Sequence, residues 1–396
     1  MEKQKKKKLK LVDILPILIG AIIGYTIGFD SVKLFPKEFI KSLNLVAVLI
    51  IFITIYYSSI LLHELGHFCA FKAMGVNIRM IKVSIVGVIF NKNKTSLKIN
   101  PSGLGVGGIV VPHIGIISDE AKFKEMQKIY AKAMIAAPMV TLSLVILGGI
   151  SIVISSVMGI MNTPYLMITG IFLCLFNILL CIGCFIKTEN VYGDFRAYSC
   201  FKKDNFFAAL MMYQYIMLAE DFVEERAGNT YLRQVLIEGF KNRAAEKEVD
   251  MLTISCSATF LIEYLVGEME KLPESIAEYI DYCYLNQTLL TNQKALEIHK
   301  SFLVYMAYYF EKTGEHSKAK QIYEEFITKL PKNQVFDYWK IQAQQIILKK
   351  DHTQHLLDVK NIKPNSFYKI LGVFNGFYWD ELILNQMDKD ELMVEF

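Results

Sequence analysis

The chain has 396 residues, 53% of them hydrophobic, and a formal net charge of +4. A charge this small and dispersed, with no binding motif beside it, excludes nucleic acid as a partner. Seven scattered cysteines form no regular framework and read as reduced thiols. Cys181-x-x-Cys184 is included, since it lies in an uncharged apolar run with no second pair.

Apolar residues concentrate before residue 187, which predicts a membrane half followed by a soluble half. The first ten residues carry six lysines. The apolar stretch behind them, 11–29, is too long for a signal peptide and lacks a small-residue cleavage site. It reads as a first transmembrane helix, with Gly20, Gly24 and Gly28 spaced as a close-packing face.

The second span covers 42–71, and 42–62 contain no charged residue. Near its end stands His63-Glu64-Leu65-Gly66-His67, the pattern H-E-x-x-H. On a helix, positions i and i+4 share a face. His63 and His67 can therefore offer two imidazole nitrogens to one metal, while Glu64 reaches a water held there. Zinc suits these ligands, and a catalytic zinc takes a third protein ligand and keeps one position open. Ionisable groups at the end of an apolar segment are costly in lipid, which marks the cluster as functional.

Residues 77–112 read as a small β insertion. An apolar, β-branched run from 78 to 89 is one strand, 91–94 a turn and 96–99 its hairpin partner. Gly103, Gly105, Gly107 and Gly108 follow. Glycines let a backbone approach another chain closely, and an edge strand offers unpaired amides to an extended peptide. These four are the substrate-binding candidates of the insertion. A phosphate loop is excluded, because no Gly-Lys-Ser/Thr follows. Ser118 is the expected cap of a helix running into the third span, 134–160, where Pro138 should kink or break it.

The fourth span is 165–186. Asn177 inside it is a polar group that lipid penalises unless it is partnered. It is expected to bond an unpaired backbone, a bound substrate strand or a neighbouring helix. Lysine and arginine are dense in the N-terminal tail and in 72–132, sparse between spans one and two, and absent from 161–164. Positive charge then places both termini in the cytosol, with the histidines at the cytosolic end of span two. The third ligand must be an acid returning to that end. Asp194, just past span four, suits the position, with Glu189 and Asp119 as competitors. His113 is expected at the surface.

The membrane half resembles the site-2 proteases, the zinc-dependent intramembrane metalloproteases, over roughly 42–200. The resemblance rests on His63-Glu64-Leu65-Gly66-His67-Phe68 with Ala70-Phe71-Lys72 and Gly75-Val76 behind it. It includes the β segment 79–111, the alanine-rich Ala133-Met134-Ile135-Ala136-Ala137-Pro138, and Gly193-Asp194. The chain departs from the family pattern where Ala137 replaces a glycine and where Thr141 stands at an expected asparagine. Tyr192-Gly193-Asp194-Phe195 also replaces the usual Leu-Asp-Gly, with Asn177 farther upstream than the usual spacing. The resemblance implies that His63, His67 and Asp194 bind Zn2+ and that Glu64 is the base.

From 199 onward the chain is charged and helical in period. Residues 206–223 read as an interfacial helix. The stretch from Ala307 through Gly314, Ala319 and Tyr323 to Pro331 has the offsets of a tetratricopeptide helix pair. His352-x-x-His355 lacks a metal partner and reads as surface. The expected fold is therefore an α-helical polytopic membrane protein of about four spans with a small β-hairpin insertion, residues 1–200. A soluble all-α helical-repeat-like domain, 201–396, follows. The expected activity is intramembrane peptide hydrolysis in the cell membrane, on a membrane-embedded protein or peptide substrate. Every group needed lies before about residue 200, and the soluble half binds a protein partner. A scaffold with a lost metal site and a zinc transporter are the alternatives.

Overall fold

A computed structural model describes residues 37–91, 94–99, 107–186, 192–216, 227–291 and 297–358, with 361 and 383. The first span, Gly103, Gly105 and Glu189 lie outside the described residues.

Among the described residues, three helices are long and apolar enough to cross a membrane. The short α1, Lys37–Ser42, precedes the first of them, α2, Leu45–Ala73. Asn44 caps α2, its side chain accepting from the amides of Val46 and Ala47. Early in α2, Leu45, Val46, Leu49, Ile50 and Ile53 are exposed, as a lipid-facing surface requires. Late in α2, Ser59, His63, Glu64, Gly66 and His67 are buried. The helix passes from a lipid-facing to a protein-facing environment at the histidine motif.

The apolar run 78–89 is two strands, where the sequence suggested one. β1 (Ile78–Val83) and β2 (Val86–Asn91) pair antiparallel across Ser84-Ile85, with Ser84 at φ +50°. The turn carries neither glycine nor asparagine and is flanked by valines, so composition hid it. β3 (Lys94–Ile99) pairs with β2, and β4 (Gly108–Pro112) pairs with β1. The insertion is thus a four-stranded antiparallel sheet in the order β3-β2-β1-β4, with β4 at an edge.

α3 spans Glu120–Met158 and α4 spans Pro164–Phe185. The cap of α3 is Asp119, not Ser118: its carboxylate accepts from the Lys122 amide at 2.9 Å, and the Ser118 hydroxyl donates to it at 2.7 Å. A carboxylate at a helix N-terminus also meets the positive end of the dipole. α3 continues through Pro138 without a break. The lost amide donor is tolerated because α2, α4 and the next helix pack around this segment.

The chain then folds into α5 (Asp194–Lys203), α6 (Asn205–Ile216), α7 (Thr230–Ala245), α8 (Met251–Leu265) and α9 (Glu274–Leu285). α10 (Glu297–Lys312), α11 (His316–Glu325) and α12 (Gln334–Leu348) complete the helical half. α10 and α11 are joined through Gly314, which sits at φ +82°. Of the stretch 206–223 expected at the membrane interface, 217–223 lie outside the described residues, while α6 covers the described part and is enclosed by protein. Phe206, Phe207, Ala208, Leu210, Met212 and Tyr213 are all buried, because α5, α7 and α8 enclose it. One contiguous apolar core runs from Phe71 and Val76 at the end of α2, through Tyr130 and Phe201, to Phe240, Phe260 and Trp339. Each such side chain contributes about 1.5–3 kcal/mol on burial, so the helical half is welded to one end of the spans. Asn229 adds a polar stitch. Its side chain accepts from the Ile117 amide and donates to the Gly115 carbonyl, tying the start of α7 to the β4–α3 connection.

Candidate metal centre

Residues from three helices meet at the end of α2. Gly66 lies between the two histidines, and a Cβ there would sit 2.7 Å from the Ala137 Cα of α3. Only glycine permits this approach, and the approach brings α3 within hydrogen-bond reach of both imidazoles. His63 Nδ1 lies 2.8 Å from Thr141 Oγ1, and that hydroxyl donates onward to the Ala137 carbonyl. With its proton committed there, the hydroxyl accepts, so His63 Nδ1 carries a hydrogen. His67 Nδ1 lies 2.8 Å from the Ala133 carbonyl, which can only accept. Both rings therefore turn Nε2 toward the same point.

Asp194 occupies that point. Its Oδ2 is 3.1 Å from His63 Nε2 and its Oδ1 is 3.6 Å from His67 Nε2. The Gly193 amide donates to the Ile186 carbonyl at 2.8 Å, folding the aspartate back onto the end of α4. The Cys184 thiol donates to Asp194 Oδ2 at 3.4 Å. Burial alone would raise the Asp194 carboxyl, but hydrogen bonds from His63 and His67 outweigh it and hold it well below the usual carboxylate range. A divalent cation among these atoms would do the same electrostatic work as the imidazole protons. One ligand atom from each of His63, His67 and Asp194 lies within 4.8 Å of the others, the only such group of three or more among the described residues.

Glu64 is buried beneath the edge strand. A Cβ on Gly108 would collide with the Glu64 side chain, so β4 can lie on the carboxylate only where it lacks a side chain. Gly107 is exposed beside it. Asn177 is not part of this cluster of donors. Fully buried, it donates to the Ser59 hydroxyl of α2 at 3.0 Å and to the Leu173 carbonyl at 2.8 Å. Its amide nitrogen thus makes an interhelical bond one turn from His63, while its Oδ1 is buried with no partner among the described residues. Asp119 is spent as a helix cap, and His113 Nδ1 lies 3.2 Å from an Arg79 guanidinium nitrogen on the sheet.

A family model described as peptidase family M50 matches residues 51–338. The chain belongs to that family, the site-2 proteases. No curated protein and no solved structure matches the chain. The family match reaches residue 338, deep in the helical half, whereas the sequence resemblance ended near 200. The continuous core makes physical sense of that reach.

Two departures from the family pattern, Ala137 and Thr141, fall on the α2–α3 contact. Ala137 is the residue against which Gly66 packs, so a small side chain is retained on that side. Thr141 holds His63 by its ring nitrogen. Sequence reasoning recorded Thr141 only as a mismatch. The available signal was a hydroxyl in an apolar run four residues after Ala137, where it returns its proton to the helix and keeps its lone pairs for a partner.

Proposed function

We propose that the chain is an intramembrane zinc endopeptidase. It hydrolyses a peptide bond within or near the membrane segment of a membrane protein or peptide precursor. The observation that carries this reading is the convergence of two Nε2 atoms and one carboxylate on a single point, with Glu64 buried beside it under a strand edge. The donor set fits zinc: two imidazoles fixed through Nδ1, plus one carboxylate, is a three-ligand set with room for water. Bound there, zinc supplies a Lewis acid and lowers the pKa of water to about 7.

The protein's own residues do the remainder. His63, His67 and Asp194 hold the metal. Glu64 takes the proton of the attacking water and returns it to the leaving amine. Its burial beneath β4 keeps that carboxylate out of bulk solvent. An α-helical substrate hides its amide bonds, so the cleaved segment must unwind. The free edge of β4, from Gly107 and Gly108 onward, offers backbone groups to an extended chain, and Gly103 and Gly105 precede it in sequence. Asn177 supports α2 from α4, one turn from the ligands. The lysine asymmetry supports a multi-pass cell-membrane protein with both termini cytosolic. The helical half presents a repeat-like surface to a protein partner.

The test combines metal analysis with one substitution. Purified wild-type protein should hold one zinc per chain and cleave an unwound membrane peptide. Glu64→Gln should keep the zinc and lose about 10²–10⁴-fold in rate, the usual contribution of a general base. Zinc movement across vesicles without cleavage would instead make the chain a transporter. A Glu64→Gln protein that cleaves normally would remove the hydrolase reading.

A further inference from the structure

α3 carries charges from Glu120 to Lys132 and none from Ala133 to Met158. Between Met139 and Met158 it rises about 30 Å, the thickness of a hydrocarbon core. Met139, Leu142, Ile146 and Ile150 are exposed along this part, as lipid-facing side chains are. The charged turns before it therefore stand outside the core. On them Lys124, Lys128 and Lys132 recur every four residues and share one face. Lys132 lies about 10 Å along the axis before Met139, so its flexible stem reaches the headgroup layer.

The three lysines line one open cavity of about 600 Å³, between α3 and Met74 at the end of α2. Met74 and Ile129 give it an apolar wall, and Glu125 is the acid in its lining. That carboxylate is engaged, accepting from Lys122 Nζ at 2.9 Å. Lys124 is anchored beside the cavity, donating to Asn205 Oδ1 at 2.7 Å and to Gln127 Oε1 at 3.2 Å. An ammonium has three protons, so one remains. Lys128 and Lys132 are exposed, and neither has an ion-pair or hydrogen-bond partner among the described residues. They do not cap α2, whose last carbonyls are taken by the amides of Met74, Gly75 and Val76. Like charges at this spacing destabilise a helix, so an anion seated among them stabilises it.

We propose that this cavity is a binding site for the phosphate headgroup of an anionic phospholipid from the adjoining leaflet. The phosphate oxygens accept from Lys128, Lys132 and the remaining N–H of Lys124. The glycerol and the first acyl carbons lie against Met74 and Ile129. Depth and wall chemistry select a lipid over a free phosphate, which has no apolar part to place. A zwitterionic lipid brings its own ammonium, which three lysines repel. Basic pockets between helices at the membrane surface suit such headgroups. The site requires neither zinc nor hydrolysis. Lys132 directly precedes Ala133, whose carbonyl holds His67 Nδ1 at 2.8 Å, so the lipid adjoins the turn of α3 that orients a proposed metal ligand.

The experiment titrates full-length protein in a neutral detergent with phosphatidylglycerol at fixed ionic strength, and native mass spectrometry counts the lipid retained. One phosphatidylglycerol per chain should bind, with phosphatidylcholine at least about tenfold weaker. Lys128→Gln with Lys132→Gln should weaken phosphatidylglycerol binding about 10–30-fold, the usual contribution of two lysines near an anionic surface. Lys72→Gln with Lys122→Gln removes the same charge outside the cavity lining and should stay within about threefold, because such charges are screened. Lys128→Arg with Lys132→Arg keeps the charge and should hold wild-type affinity. Unchanged binding in the cavity pair overturns the proposal, as does a loss equal to that of the Lys72 and Lys122 pair, which would mean diffuse attraction. Phosphatidylcholine retained as tightly as phosphatidylglycerol also overturns it. Water-soluble glycerol phosphate that displaces the lipid at equal concentration would make a free phosphate the ligand and remove the lipid assignment.

Discussion

The two halves of the molecule each bury a cluster of ionisable groups, and the clusters are built on opposite principles. In the helical half, Glu263 of α8 is fully buried. It receives the Tyr213 hydroxyl at 2.6 Å and Arg233 at 3.2 Å. One positive charge meets one negative, and Arg233 also donates to the Tyr213 oxygen at 3.3 Å, so the charges of the cluster neutralise each other. At the end of α2 the outer face of each imidazole is satisfied through Nδ1, and the inner faces converge on a carboxylate. Satisfied groups around a fixed point leave Nε2, Nε2 and Oδ for whatever sits at the centre. A self-neutralising network holds a fold together, whereas a convergent one holds a cation.

The largest expected effect is on the convergent side. Asp194→Ala removes one of the three proposed ligands and the only negative charge among them. Zinc affinity should fall by more than the ~10–100-fold typical of an outer hydrogen-bond partner. Thermal unfolding of the helical half should be nearly unchanged, because Asp194 lies far from the Glu263 network in sequence and shares none of its partners. Metal titration checks the first part and circular dichroism the second. Full zinc occupancy in this variant, with loss in Glu189→Ala or Asp119→Ala instead, would move the third ligand elsewhere.

Glu263→Ala reverses the comparison. It leaves the Tyr213 hydroxyl without its acceptor and Arg233 without its counter-charge, with only the Arg233 bond to the Tyr213 oxygen remaining. Breaking a buried pair from one side costs about 3–5 kcal/mol. Denaturant unfolding should show that loss. Zinc bound per folded chain should stay at the wild-type value. Replacing the network together, with Tyr213→Phe, Arg233→Met and Glu263→Leu, should restore much of the stability, since an apolar cluster of similar volume often matches a buried ion pair. A triple variant as unstable as Glu263→Ala would mean that the network does more than satisfy itself.

Legibility in the sequence followed the same division. The spans beginning near 42, 134 and 165 were readable because lipid imposes a long uncharged run, and no soluble constraint imitates it. The placement of His63, Glu64 and His67 together was readable because spacing along one helix fixes it. Asp194 required topology as well: an acid past span four, returning to one end of span two. What stayed hidden depends on contacts between distant segments. Ser84-Ile85 turns without a turn residue, because pairing with β4 and β2 decides where the strand stops. The 206–223 segment looked interfacial because aromatics and methionines suit a membrane surface and a protein core equally well. Its burial in α6 follows from helices that come later in the chain. Thr141 could not be assigned by period, since it matters through His63, a partner more than seventy residues away.

Thr141→Val is the smallest of these effects and tests the convergent principle most finely. Valine keeps the shape of threonine, so the Gly66–Ala137 contact should survive and the spans should stay packed. What changes is one lone pair: His63 Nδ1–H loses its acceptor in a buried setting. The ring can then turn, or place its proton on Nε2, the atom that faces Asp194. Zinc affinity should fall by about 10–100-fold, as for other outer partners of metal-bound histidines. Thr141→Ser, which keeps the hydroxyl, should recover most of it. Affinity equal to wild type in Thr141→Val would show that the His67 and Asp194 side of the cluster fixes the metal alone. Equal losses in the valine and serine variants would mean that packing at position 141 matters and its hydrogen bond does not.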